Sequence, residues 1–265
     1  MSRATPFADE VATARLALAC LDLTSLNDGD TAADVQRLCE RAVGPAGRGA
    51  VAAVCVWPHL AALARRQLPA GIAVAAVANF PDGGSDVDRA VHDTHEIVAA
   101  GAQEVDVVLP WRDLGAAPAL LKAVRRACTG LRLKVILETG ELGDDDAIAR
   151  ACRIALGAGA DFLKTSTGKV KVNATPHAAR LLLQAIAADR RSASHVGFKP
   201  AGGIRTVADA GEYMALVAEV LGRDALGPAR FRIGASGLLN DIEAVLAGRA
   251  AGSADAAGSA STSSY

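Results

Sequence analysis

Short, almost continuous runs of Val, Ile, Leu and Ala recur eight times along the chain, each followed by a longer segment of helical period. The strand candidates are Leu16–Leu23, Val51–Val56, Ile72–Ala78, Glu104–Leu109, Leu133–Glu138, Ala160–Thr165, His195–Lys199 and Phe231–Gly234. Runs this short that scarcely alternate are those of parallel strands covered on both faces. The intervening segments carry helix-end signals. Asp30-Thr31 followed by Asp34, and Ser85 followed by Asp88, have capping-box spacing. Thr175-Pro176 pairs an N-cap with a proline at the first helical position. Gly101 and Gly159 fall where helices should stop before the next strand.

Eight strand–helix repeats in a chain of 265 residues match the arithmetic of a (β/α)8 barrel. The competing architecture is an open, doubly wound sheet. After Leu21-Asp22-Leu23, however, the chain continues Thr-Ser-Leu-Asn, with no Gly-x-Gly-x-x-Gly, and the dinucleotide fold loses its main support. The expected organisation is one barrel domain over residues 1–247, with Thr5–Arg15 as an extra N-terminal helix. Residues 248–265, rich in Ala, Gly and Ser and ending in Tyr265, read as a flexible C-terminal tail.

Composition narrows the picture. Half the residues are hydrophobic (51%) but only 3% are aromatic, so the core is aliphatic. A formal net charge of -1 lacks the basic footprint of a general nucleic-acid binder. No apolar run approaches a membrane span, and Asp9-Glu10 stand where a secretory signal needs an apolar stretch. The expectation is a cytoplasmic protein without membrane or nucleic-acid partners. Five scattered cysteines without a Cys-x-x-Cys pair read as reduced thiols; four lie in apolar stretches, and Cys39 lies among charged neighbours.

The polar residues at strand ends suggest chemistry, because such ends face the mouth of a barrel and polar groups there need a reason. They are Asp22, Asn79, Asp106, Glu138, Lys164, Lys199 and Ser236; Lys134 lies earlier on its strand, on the same face as Glu138 by parity. Lys164 and Lys199 sit in apolar runs on consecutive strands. One such lysine would be explained equally well by a structural ion pair with Asp106, Glu138 or Asp22. Two together point to an ammonium lowering the pKa of a neighbouring amine, as Schiff-base formation with a carbonyl requires. The residues alone leave open which lysine is the nucleophile; Asp106 is the carboxylate best placed to move protons.

A second constellation follows strands six to eight: Thr167-Gly168-Lys169, Gly202-Gly203-Ile204-Arg205 and Gly234-Ala235-Ser236. Tight turns explain most glycines. Three such loops in the quarter of a barrel that binds phosphate, with Lys169 and Arg205 alongside, indicate a phosphorylated carbonyl substrate.

Lys164-Thr-Ser-Thr-Gly-Lys169, Lys199-Pro-Ala-Gly-Gly-Ile-Arg205, Glu104-Val-Asp-Val-Val108, Glu138-Thr-Gly-Glu-Leu142 and Asp22-Leu-Thr24 resemble the motifs of deoxyribose-phosphate aldolases. The resemblance runs from about Leu21 to Leu239, and Ser263-Ser-Tyr265 matches as well. It implies a class I aldolase of deoxyribonucleoside catabolism on a (β/α)8 barrel, commonly a homodimer, needing no metal or organic cofactor. The implied reaction reversibly cleaves 2-deoxy-D-ribose 5-phosphate to D-glyceraldehyde 3-phosphate and acetaldehyde. Carried over by position, Lys164 becomes the Schiff-base lysine, Lys199 the residue that lowers its pKa, and Asp106 the acid/base carboxylate. Asp22 and Lys134 become the supporting network, and Tyr265 a residue that assists proton transfer. Gly168, Lys169, Gly202, Gly203, Arg205, Gly234 and Ser236 fall on phosphate positions. Where many relatives carry a second serine, this chain has Gly237, which removes one hydroxyl donor. The rivals are an aldolase of the same design acting on another phosphorylated sugar, and a phosphosugar-binding barrel without catalysis.

The remaining motifs invite less. His92 and His95 lie at i, i+3 on a predicted helix and read as a solvated face, since a metal-dependent aldolase needs ligands gathered at the mouth. Cys55, at the end of strand two near the expected pocket, reads as packing, with a reactive thiol as the alternative. Trp57 and Trp111 could line the site or seal a subunit contact.

Overall fold

The computed structural model describes residues 9–248, and within them strands and helices alternate throughout. In chain order the elements are α1 (Glu10–Ala19), β1 (Leu21–Thr24), α2 (Ala32–Val43), β2 (Ala53–Val56), α3 (Pro58–Gln67), β3 (Ala73–Ala78), α4 (Val87–Ala99), β4 (Glu104–Val108) and α5 (Ala117–Ala127). There follow β5 (Arg132–Ile136), α6 (Thr139–Leu142), α7 (Asp145–Gly157), β6 (Phe162–Lys164), α8 (Pro176–Ala188), β7 (Gly197–Lys199), α9 (Val207–Val220), β8 (Ile233–Ala235) and α10 (Leu238–Leu246). All seven paired neighbours are parallel, in the order β7-β6-β5-β4-β3-β2-β1-β8. The last gap closes through the Phe198–Phe231 and Ala201–Gly234 bridges, where Phe198 N donates to Arg230 O at 2.9 Å and Gly234 N to Pro200 O at 2.9 Å. The fold is a (β/α)8 barrel.

Strand alternation divides the apolar residues into two layers. Leu23, Val54, Val74, Val105, Val135, Leu163 and Ile233 face outward and join residues such as Leu120, Val124 and Leu182 of the helices. Each fully buried aliphatic side chain there contributes roughly 1.5–3 kcal/mol. On the inner face, Cys55, Ala75, Val77, Val108 and Ile136 form a smaller cluster with Leu26 and Phe80. Most of the remaining large side chains of the interior are charged. Phe162 is also fully buried inside, with the Arg132 and Arg232 guanidinium groups 5.6 Å and 5.8 Å from its ring centre. Gly197 makes room for that ring: a Cβ there would lie 2.4 Å from Phe162.

Local chemistry explains most boundaries. Thr31 and Asp34 form the expected capping box on α2, and Thr175 caps α8 with Pro176 in its first turn. Gly101 and Gly159 adopt φ of 74° and 85° just past α4 and α7, the left-handed geometry that ends a helix. The cap of α4 is corrected by one residue. Asp86, not Ser85, accepts the Arg89 N–H at 3.0 Å.

The first strand is also corrected. Within Leu16–Leu23, residues 16–19 belong to α1, which begins after N-cap Asp9 and runs four residues past Arg15; residues 5–8 lie outside the described residues. The Leu-Ala-Leu-Ala sequence has high helix propensity, and Ala17 and Leu18 bury against the barrel, so the apolar run continues the helix. Other strands are trimmed: β6 and β7 span three residues each, and Glu138 falls beyond β5. All five cysteines are buried free thiols, Cys39 included. No helix among the described residues is long and apolar enough to cross a membrane.

Candidate active site

Inward parity on five strands gathers the predicted charges into one buried cluster. β1 supplies Asp22, β4 supplies Asp106, β5 supplies Lys134, β6 supplies Lys164 and β7 supplies Lys199. Lys134 Nζ donates to Asp106 Oδ1 at 2.7 Å, and Lys164 Nζ donates to Asp106 Oδ2 at 3.0 Å. Lys199 Nζ bridges Asp106 Oδ2, at 2.8 Å, and Asp22 Oδ2, at 2.5 Å. All five side chains are at most 3% exposed. Ion pairing and an amine pocket are thus both present. The structural alternative describes Lys199 and Lys134 well, whereas Lys164 has one carboxylate partner.

The electrostatics separate the two lysines that the residues alone left equal. Burial lowers the pKa of Lys164 below the ordinary lysine value of 10.5, and the Lys199 charge lowers it further, against the opposing pull of Asp106. Burial also disfavours charge on Lys199, but Asp106 and Asp22 outweigh it and hold that lysine above its ordinary value. Lys134 is raised likewise, with Asp106, Asp22 and Glu104 overcoming burial. Asp106 is desolvated, which alone would raise it; Lys134, Lys199 and Lys164 together hold it well below the carboxylate range. Lys164 is therefore the amine most readily deprotonated.

Two charged members of this cluster were absent from the sequence-based set. Glu104 and Arg232 are 1% and 3% exposed. Arg232 Nη2 donates to Glu104 Oε1 at 2.8 Å and Nη1 to Asp22 Oδ1 at 2.6 Å, while Lys134 Nζ lies 2.6 Å from Glu104 Oε2. The signal was parity, since Glu104 is two residues before Asp106 and Arg232 two before Gly234. The buried set is then four cations (Lys134, Lys164, Lys199, Arg232) against three carboxylates (Asp22, Glu104, Asp106). With Lys164 as a neutral amine, the charges cancel.

Beside this centre lie the three glycine loops. Gly168, Gly202 and Gly203 have φ of 86°, 82° and 83°. Lys169 N donates to Thr167 Oγ1 at 3.0 Å, and its Nζ lies 3.7 Å from Asp28 Oδ1. The Arg205 side chain is exposed. Ser236 and Gly237 precede α10, which has no side-chain N-cap bond. Gly234 is buried in β8, where a Cβ would lie 2.9 Å from Ala201 Cβ and 3.0 Å from Lys199 Cε, so the bare backbone leaves room for both. Ser166 Oγ and Asn173 Oδ1, both near these loops, are buried polar atoms without a partner.

Glu138 occupies a left-handed conformation (φ 56°) and accepts the Thr167 N–H at 3.2 Å and 3.4 Å, so it clasps the loop after β6. Burial raises its pKa. Asn79 is structural, its Nδ2 donating to Gly84 O and Val108 O. Cys55 is fully buried, and desolvation raises its thiol pKa, which supports packing over reactivity. Trp57 and Trp111 pack against the inner apolar cluster, and Trp57 meets Phe80 edge-on at 5.5 Å. His92 pairs with Glu96 on the exposed face of α4. Tyr265 and the tail after Gly248 lie outside the described residues.

Inside this parallel barrel a buried lysine with lowered proton affinity stands beside a carboxylate, an arrangement that suits chemistry on a carbonyl carbon. The comparisons with known proteins agree: the family model described as DeoC/LacD family aldolase matches residues 16–249. The chain belongs to the DeoC/LacD aldolase family. A Toxoplasma gondii protein provisionally assigned as a deoxyribose-phosphate aldolase is similar at 25% identity and a TM-score of 0.82, over 92% of this chain and 97% of that one. A Coccidioides immitis protein with the same provisional assignment shares 28% identity, with a TM-score of 0.74 and 87% of each chain covered. The tetrameric deoxyribose phosphate aldolase of Aeropyrum pernix, at 22% identity and a TM-score of 0.70 over 90% of this chain and 97% of that one, shares the fold.

Proposed function

We propose that the chain is a class I aldolase that reversibly cleaves 2-deoxy-D-ribose 5-phosphate to D-glyceraldehyde 3-phosphate and acetaldehyde, in the breakdown of deoxyribonucleosides. One observation carries this reading: Lys164, with its pKa lowered, faces a single carboxylate while its neighbouring cations each hold two or more. A free amine at working pH is what nucleophilic attack on an aldehyde needs.

Lys164 Nζ adds to C1 of the open-chain sugar, and loss of water gives an iminium. Asp106, acting with a bound water, takes the proton of the C3 hydroxyl. The C2–C3 electron pair then flows toward the iminium nitrogen, C3 becomes the aldehyde of glyceraldehyde 3-phosphate, and an enamine remains. Protonation at C2 restores the iminium, and water hydrolyses it to acetaldehyde and free Lys164. The charge balance favours the cleavage step. The iminium adds a fourth positive charge to a buried set that is neutral without it, and the enamine removes that charge. Asp106, held so far below the carboxylate range, orients and relays the proton and does not retain it.

The phosphate is assigned to the loops after β6, β7 and β8. Backbone N–H groups around Gly168, Gly202, Gly203, Ser236 and Gly237, the start of α10, Lys169 and Arg205 supply donors and positive charge. The test is turnover of 2-deoxyribose 5-phosphate coupled to detection of glyceraldehyde 3-phosphate, with borohydride trapping and peptide mapping. Turnover with the label on Lys164 is expected. A label confined to another lysine, or turnover of a different phosphorylated sugar in place of this one, would overturn the assignment.

A further inference from the structure

The mechanism above uses Lys164 and Asp106, with Lys199 as the charge beside the amine, and leaves Glu104 and Arg232 without a task. Yet both are buried inside the barrel and joined to the reacting groups by an unbroken chain of ion pairs. Arg232 touches Asp22 and Glu104; Glu104 touches Lys134; Lys134 touches Asp106; Asp106 touches Lys164. Arg132 Nη1 also reaches Glu104 Oε1, at 2.8 Å, from a half-open position at 36% exposure.

The cations differ in how many carboxylates hold them. Lys134 has three, Lys199 and Arg232 two each, and Lys164 one. Any change in the charge of this water-excluded set therefore falls first on the proton of Lys164. The groups acting directly on that amine are Asp106 from β4, Lys199 from β7 and Cys55 from β2, with Glu138 beyond the end of β5. Cys55 is a buried thiol, and Glu138 is bound to the Thr167 N–H. Neither replaces a charge removed from below.

We propose that Glu104 and Arg232 are positioning residues that set, through Asp22, Lys134 and Asp106, the fraction of Lys164 held as free amine. The inference rests on the Schiff-base reading of Lys164. Removing the Glu104 charge leaves excess positive charge and frees the amine at lower pH; removing the Arg232 charge does the reverse.

The measurement is the acid limb of kcat/KM for cleavage of 2-deoxyribose 5-phosphate, which reports the free enzyme's amine. Glu104→Gln is expected to move that limb down by about one pH unit and Arg232→Met to move it up by about as much. The double variant returns it to near the wild-type position. Glu104→Asp and Arg232→Lys keep the charges and leave the limb in place. A purely structural role would lower the plateau of every variant without opposite movements of the limb. Limbs that stay fixed, or move in the same direction, overturn the proposal. Where one single variant does not fold, the other still reads, because its limb has to move in its own stated direction. The double variant, in which joint replacement of a buried pair is tolerated better than loss of one partner, serves as the folded reference, and a displaced limb there overturns the proposal as well. Wild-type trapping with acetaldehyde and borohydride keeps the two readings apart. No trapping at Lys164 removes the Schiff base itself, whereas trapping with immobile limbs removes only the role of Glu104 and Arg232.

Discussion

Lys164 and Lys199 meet on a single oxygen, Asp106 Oδ2, at 3.0 Å and 2.8 Å. Their nitrogens therefore lie within about 6 Å of each other, the range over which one charge strongly shifts another's proton affinity. The second carboxylate, Asp22, touches Lys199 and not Lys164, so Lys199 is held above the ordinary lysine value and Lys164 below it. Replacing Lys199 with Met removes the repelling charge and leaves Asp106 free to hold a protonated Lys164. The acid limb of kcat/KM should rise by roughly 2 pH units. Activity near neutral pH should fall by about 100-fold and recover as the pH is raised. A uniform loss at every pH would show that Lys199 acts otherwise.

Lys164→Met separates catalysis from stability. Without the amine, turnover should fall by about 10⁴-fold or more, to background. The fold should not suffer, because Lys164 is desolvated and has one partner, and a Met of similar length fills its place. A stability equal to wild type, or higher by about 1 kcal/mol in urea unfolding at neutral pH, is expected. The sign follows from linkage. The folded-state pKa is depressed, so below about 10.5 the unfolded chain binds a proton that the folded chain resists. The advantage of the Met variant should therefore shrink as the pH climbs toward 10.5. An unfolded Lys164→Met protein would mean that this lysine is structural.

Most of this site was legible because parallel-strand parity is rigid. Asp22, Asp106, Lys134, Lys164 and Lys199 each break an apolar run, and each points inward. Glu104 and Arg232 obey the same parity but stand at or just before the start of their strands, where a charge is ordinarily read as solvated. What buries them is the filling of the barrel interior by Phe162 and their mutual pairing, which come from strands distant in sequence. The 16–19 stretch failed for a different reason: a short Leu/Ala run carries no period that distinguishes a buried helix from a buried strand. The left-handed backbone of Glu138 was likewise invisible, because the Thr167 N–H bound by its carboxylate lies 29 residues away.

Gly202 tests the phosphate assignment. Its φ of 82° disfavours any side chain, and a Cβ would lie 2.7 Å from the Asn173 side chain. Gly202→Ala should push the loop after β7 away from the loops after β6 and β8. KM for 2-deoxyribose 5-phosphate is expected to rise about tenfold, while cleavage of unphosphorylated 2-deoxyribose changes by less than about twofold. Equal losses on both substrates would place the phosphate elsewhere.

Gly237 offers a gain in place of a loss. Its φ of -79° and ψ of -24° suit any residue, and a Cβ there would meet no atom within 4 Å, so Gly237→Ser costs no strain. The backbone is helical at this position and lacks the extended geometry of a capping residue, so the hydroxyl should add little as a cap, no more than a few tenths of a kcal/mol. At the start of α10 and next to Ser236, that hydroxyl gains a use only when an anion is bound between the loops. The expected result is a KM for the phosphorylated sugar lowered by about threefold, unchanged kcat, and no change for the unphosphorylated sugar. A melting temperature raised by several degrees with KM unchanged would identify position 237 as a helix cap and remove it from the phosphate site.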